Sequence, residues 1–238
     1  MPIFRIRKDP SGPAPDRELR RVKIVEVCVG EPRTVRHGRK EVTTGIFKTP
    51  VSGKVHAGLL NLAGDRQADL SVHGGRDKAL YVYPHEHYRY WAGELGKSSL
   101  EPAQFGENLT VTGMTEETVV IGNQYRLGDV VATVAQPRLP CFKLGIRVGD
   151  DAFPKRFLAS GRLGFYLRVE QQGTLQKGDS IELLQRPDHG ISVQALWQTV
   201  FDDNRDRAFA QKALDALPLI DAGWVRRLKL IAARQDSA

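Results

Sequence analysis

Cys141 stands in the segment Gln136-Pro137-Arg138-Leu139-Pro140-Cys141-Phe142-Lys143-Leu144, a thiol set among prolines and cations at the end of a strand-forming run. Proline fixes backbone φ, so this thiol is held in a turn, and the charges of Arg138 and Lys143 favour thiolate over thiol. A thiolate is a soft metal ligand or a nucleophile. The alternative is that Cys141 is a small buried hydrophobe, a common fate of free cysteines. Cys28 lies between Val27 and Val29 with Glu26 as its nearest fixed charge, and is read as core packing. The chain has no CxxC and no Cys/His cluster at zinc spacing, so a structural zinc site is not expected.

A second constellation runs Gly64-Asp65-Arg66-Gln67-Ala68-Asp69 and then His73-Gly74-Gly75-Arg76-Asp77-Lys78. Paired glycines permit positive φ and let backbone approach a ligand closely. Their amides, with Arg66, Arg76 or Lys78 nearby, suit a phosphate or another anion, although the spacing is neither that of a P-loop nor of a dinucleotide fingerprint. The plainer reading is a turn carrying solvated charges. His73 titrates near working pH and can donate a proton, or it simply holds the turn. His85 and His87, two residues apart on an expected helix, cannot face one metal together. In Phe105-Gly106-Glu107-Asn108-Leu109-Thr110-Val111, Asn108 is either a polar group of the site or a turn cap. No GxSxG, HExxH or kinase set is present.

These residues need elements to position them. Strands are expected near 22–29, 41–48, 78–83, 107–111, 117–121, 130–136, 164–170 and 180–185, each bounded by Gly, Pro, Asn or Asp. Leu127-Gly128-Asp129 and Lys177-Gly178-Asp179 each precede a strand and suggest two tight corners of one sheet system. Many short strands at this spacing favour a barrel or a sandwich. Helices are expected over 84–95 and 153–160. After Arg186-Pro187-Asp188 the apolar period becomes helical, through Leu196, Val200, Leu214, Leu217, Trp224, Leu228 and Ile231. Ser192 and Asp221 are placed to cap the first and third of these helices, and Pro218 to end the second. So small a bundle must dock on the main domain or on a partner.

Of 238 residues, 41% are hydrophobic and 26% charged, the composition of a globular protein rather than a disordered or membrane one. No apolar run approaches the length of a membrane span and residues 1–21 lack the apolar core of a signal peptide, so a cytoplasmic protein with reduced thiols and no membrane partner is expected. Residues 1–40 hold eleven Lys or Arg against five Asp or Glu, which is +6 of the net +7. The rest of the chain is nearly neutral, which argues against nucleic acid as a partner and makes residues 1–21 a solvated basic arm.

Taken in order, the GDRQAD, VHGGRDKALYVYP, FGENLTV and PRLPCFKL segments resemble the MOSC family, in its YiiM-like branch with an appended three-helix bundle, over about residues 23–235. The resemblance implies a mainly β fold with helices (α+β), a distorted MOSC-type β-barrel over 22–187 followed by a small C-terminal helical bundle over 188–238. It also implies a molybdenum cofactor (molybdopterin) whose metal is bound by Cys141, and reduction of N-hydroxylated small molecules such as hydroxylaminopurine bases. The corresponding site residues are Cys141 and His73 for catalysis, with Arg66, Asp69, Gly74, Gly75, Lys78, Asn108, Arg138 and Lys143 around the cofactor. Lys54 departs from the proline expected of this branch. The chain carries no flavin, haem or iron-sulfur signature, so a separate electron-transfer protein is implied, with the helical unit and its Arg226, Arg227 and Lys229 as a docking surface. The alternative is a non-catalytic carrier of the cofactor, or of sulfur on Cys141.

Overall fold

The computed structural model describes residues 22–69, 74–201, 206–217 and 220–233. The arm 1–21, His73 and Pro218 lie outside them. The chain runs through β1 (Lys23–Val29), β2 (Arg33–His37), β3 (Lys40–Thr44), β4 (Thr49–Pro50), β5 (Val55–Ala57) and β6 (Leu80–Pro84). Then follow α1 (Glu86–Glu94), β7 (Leu109–Thr112), β8 (Gln124–Leu127), β9 (Val130–Pro137), α2 (Phe142–Val148) and α3 (Phe153–Ala159). The last elements are β10 (Phe165–Gln171), β11 (Gly173–Leu175), β12 (Ile181–Gln185), α4 (Val193–Phe201), α5 (Arg207–Ala216) and α6 (Ala222–Ala232).

A strand covered on both faces needs a continuous apolar run, and β6 and β9 have one; both are interior strands of an eight-stranded sheet of order β12-β8-β9-β10-β6-β7-β1-β4. All its pairs are antiparallel except β6 with β7. The sheet curls until β1 reaches the start of β12, where Lys23 bridges Ser180 and three backbone bonds of 2.8–2.9 Å join Ile24 to Asp179, Gly178 to Ile24 and Ile181 to Val22. The fold is α+β as expected, but the barrel is a curled sheet with this short seam, not a closed ladder.

The two Gly-Asp corners meet at the seam. Asp129 N donates to Thr174 O, and Asp179 Oδ2 accepts from Gln176 N. A Cβ on Gly128, whose φ is +59°, would lie 2.6 Å from that same Oδ2 and 2.7 Å from Thr174 O. Only glycine fits there.

Some local expectations fail for identifiable reasons. Residues 117–121 form no strand: Thr118 N and Val119 N both turn back to Thr115 O, leaving a single bridge from Val120 to Ser192. The strand lies instead at β8, where Tyr125 and Leu127 alternate inward with Gln124 and Arg126 outward. Helix α2 directly after Cys141 was not anticipated; its Gly145 allows Asp150 O to pass 2.9 Å from where a Cβ would sit.

Helices α4, α5 and α6 share one apolar core with the sheet, through Ile191, Leu196, Trp224 and Leu228. Ser192 Oγ caps Ala195 N and Asp221 caps Gly223 N, as expected, while Asp206 caps α5. No helix among the described residues is long and apolar enough to cross a membrane. A second cluster of Tyr81, Tyr83, Trp91, Phe105, Phe153 and Phe157 packs α1 and α3 behind the region where Cys141 lies.

Gly128→Ala should cost about 3 kcal/mol in urea unfolding, because crowding adds to left-handed strain. Gly38→Ala, with φ +60° but no atom within 4 Å, should cost only about 1 kcal/mol. Equal costs would show that the two corners do not press on each other.

Candidate functional site

Strand β9 ends at Pro137, and the chain turns through Arg138 and Pro140 to place Cys141 at the N-cap position of α2, with extended φ −119° and ψ 172°. Neither cysteine is in a disulfide, and Cys141 is half-buried. It lines a cleft of about 690 Å³, mouth included, a size suited to a small-molecule ligand. The cleft also gathers Arg66, Gly74, Lys78, Asn108, Arg138 and Lys143 from among the residues singled out in the sequence. Asp69, Gly75 and Lys54 are exposed and do not line it. His73 falls outside the described residues.

Arg138 is the most constrained of these groups. Its side chain is 5% exposed, with the guanidinium carbon 5.1 Å from the Tyr81 ring centre and 5.4 Å from that of Phe157. Burial disfavours the cation, but the negative charge that Tyr81, Tyr166 and Cys141 carry once ionised works the other way and raises its pKa above the ordinary arginine value. Burial likewise pushes the Tyr81 and Tyr166 phenols up, against the pull of Arg138, so both stay protonated at neutral pH. Nη1 of Arg138 has no hydrogen-bond partner. A buried guanidinium with an unmet donor is expensive unless something anionic meets it.

The opposite wall is held by charges that the sequence reading passed over. Asp65, 2% exposed, pairs with the Lys48 ammonium and accepts from Gly30 N at 3.0 Å and from Asn108 Nδ2 at 2.9 Å. Asn108 Oδ1 accepts from Tyr81 N at 3.1 Å, and its Nδ2 also donates to Cys28 O at 3.3 Å. Asn108 is therefore a brace between strands as well as part of the lining. Glu107 lies behind the wall, where burial raises its pKa although Tyr88, Thr110 and Phe105 N donate to it. Lys48 was detectable as a lysine in the apolar run Ile46-Phe47-Lys48. Tyr81 and Tyr166 were not, because they meet only through the register of β6 with β10.

The rim turn is pinned residue by residue. Arg76 pairs with Glu170 at 3.7 Å, Asp77 with Arg168, and Lys78 with Asp221 at 3.5 Å. Among the described residues no group of three or more His, Cys, Asp or Glu could hold a metal. A metal at Cys141 would therefore need to bring further ligands with it. Cys28 is fully buried, and desolvation, reinforced by Glu107 and Glu26, pushes its thiol up to about 12.

A family model described as the MOSC domain matches residues 69–182. The chain is 40% identical over 202 residues to the uncharacterized protein YflK of Bacillus subtilis, covering 85% of this chain and 91% of that one. It is 35% identical over 188 residues to the protein YiiM of Escherichia coli, covering 76% and 82%. It is also 40% identical over 150 residues to a Gibberella moniliformis protein named reductase, covering 62% of this chain but 27% of that longer protein. The crystal structure of YiiM from Geobacillus stearothermophilus superposes with a TM-score of 0.73 at 31% identity, covering 89% of this chain and all of that one.

Lys48→Ala should cost about 3 kcal/mol in urea unfolding, because it strands the buried Asp65 carboxylate, whereas Lys143→Ala should stay within about 0.5 kcal/mol. Similar costs would mean that the pair carries nothing. Cys28 is buried and its thiol is pushed up to about 12, so one thiol per native chain should react quickly with Ellman's reagent, and Cys141→Ser should abolish that phase. Two fast thiols, or a fast phase surviving in Cys141→Ser, would contradict the assignment of the two cysteines.

Proposed function

The chain belongs to the MOSC domain family, and we propose that its cleft holds a molybdenum cofactor and reduces N-hydroxylated compounds such as hydroxylaminopurine bases. The observation that carries this reading is the unmet Nη1 of buried Arg138 in the same cleft as the Cys141 thiol. An anionic ligand that carries its own metal would give Nη1 an acceptor and bring the metal within reach of the Cys141 thiolate. The name of the Gibberella relative points the same way.

Cys141 would ligate the metal, since a thiolate is the soft donor such a site needs. Arg138 would meet an anionic group of the cofactor from inside the aromatic cluster, while Lys78 and Lys143 add positive charge at the rim. Gly74 leaves backbone free to approach. Lys48 is tied to Asp65, so its part is to hold the wall. Bound there, the cofactor would supply the two-electron reducing chemistry that loss of an N-hydroxyl group requires.

The overall change converts R-NH-OH, two electrons and two protons into R-NH2 and water. The residues of the chain must manage those protons. The protonated Tyr166 phenol sits in the lining beside Arg138, and His73 is the acid proposed for loss of water. The electrons come from a separate electron-transfer protein.

Purified from a host that makes the cofactor, the wild-type chain should carry about one molybdenum and one pterin per chain. Cys141→Ser should lose the metal, and Arg138→Gln should retain the pterin at least about tenfold more weakly. Reduced viologen should then drive hydroxylaminopurine to the amine. Wild-type protein without molybdenum overturns the cofactor reading, and loaded protein without turnover favours the carrier.

A further inference from the structure

We propose that the β2–β3 hairpin is a docking arm that steers an acidic electron-transfer protein onto the mouth of the Cys141 cleft. This rests on the reductase reading above and adds the surface by which its electron donor is recognised. The hairpin stands apart from the large sheet, its strands pairing only with each other. It presents Arg36, Arg39 and Lys40 to solvent, and no ion pair joins any of the three to a carboxylate among the described residues. Arg36 Nε donates only within the turn, to Gly38 O at 3.3 Å.

Three contacts aim this arm. At its tip, His37 Nε2 lies 2.8 Å from Asp151 Oδ1 in the turn between α2 and α3. At its root, the Phe47 ring is held between Arg33 at 3.8 Å and Arg147 of α2 at 5.5 Å. Beyond its last strand the chain becomes the cleft wall at Thr44, Gly45 and Ile46. The hairpin thus flanks α2, the helix that begins directly after Cys141. That helix is only about 10 Å long, so a protein surface seated over the cleft mouth extends to the arm itself, where its charges come within the screening length of about 8 Å at physiological salt. Cations on the arm therefore act on any charged surface that approaches the cleft.

The cluster fits a protein better than a nucleic acid. A polyanion is tracked by a long stripe of cations, whereas these occupy one hairpin, with Glu41 opposite Arg36 among them. Transient electron-transfer complexes bury little area and depend on charge steering, which a small basic arm beside the redox site provides. The rival surface on α6 is partly used internally: Arg227 Nη1 donates to Gly223 O at 2.9 Å, and its guanidinium lies 5.9 Å from the Phe201 ring centre.

The test titrates the cofactor-loaded full-length chain with flavodoxin, an acidic redox flavoprotein, and measures turnover with the reduced form. The triple reversal Arg36→Glu, Arg39→Glu, Lys40→Glu should weaken flavodoxin binding and lower kcat/KM for it by about tenfold or more. Molybdenum content and turnover with reduced viologen, a small cation, should not change. The neutral triple Arg36→Gln, Arg39→Gln, Lys40→Gln should fall between, again with full viologen turnover. Wild-type protein that does not bind flavodoxin, or binding that survives the reversal, overturns the proposal. So does binding that is lost only in Arg226→Glu/Arg227→Glu, or hairpin-dependent binding of a single-stranded oligonucleotide with flavodoxin kinetics intact. Wild-type protein that binds flavodoxin through the hairpin but turns over nothing with viologen removes the reductase reading and leaves the docking surface standing.

Discussion

The cleft depends on one buried carboxylate. Asp65 sits at the convergence of Gly30 after β1, Lys48 before β4 and Asn108 before β7, and each gives it a donor. Asn108 carries the connection on to Tyr81 of β6 and to Cys28 of β1. Segments far apart in sequence are thereby fixed against one another around the space that Cys141 faces. A buried ion pair is poor evidence for net stability, since desolvation offsets most of the attraction. Its value is geometric: moving any member leaves a charge or an amide unmet, so the wall has one arrangement.

Arg138 supplies the opposite constraint. It is buried against aromatic rings that stabilise a cation, and Tyr83, Trp91 and Arg162 O continue that cluster through a chain of hydrogen bonds. This environment fixes the guanidinium without neutralising it. One wall is electrically closed by Asp65, and the other is left open by Arg138. Arg138 thus keeps a buried donor unmet in the cleft that Cys141 also lines.

The sequence made the parts of the site legible where chemistry is local. Cys141, directly after Pro140 and flanked by Arg138 and Lys143, and the glycine pair before Arg76 announce themselves by composition, and the helical period after residue 188 is regular enough to read. What stayed hidden is made by pairing. Tyr81 and Tyr166 look like ordinary strand residues until β6 lies beside β10. Residues 117–121 have the β-branched composition of a strand, yet the amides of Thr118 and Val119 turn back to Thr115 O, Ile121 N donates to Ile191 O, and Val119 O accepts from Val193 N. Tertiary context decided against local propensity there. The closure of the sheet was also overestimated, because alternation shows that a strand has two faces but not how many ladder bonds its edge will make.

The helical unit shows how the remaining fold bears on the cleft. Helices α4, α5 and α6 bury Leu196, Val200, Ala213, Trp224, Leu228 and Ile231 in the same core as the sheet, and so short a bundle could not bury them alone. The ion pair between Lys78 and Asp221 adds little energy, since both groups are partly exposed. It matters because of where it sits: Asp221 also caps α6, and Lys78 lines the cleft. The apolar core holds the helices on the sheet, and this pair transmits their position to the rim. The turn that carries Lys78 is anchored on its other two residues to β10, through Arg168 and Glu170. The rim is thus set jointly by the sheet and by the bundle, so the helices belong to the architecture of the site even though none of them contributes a residue to its lining.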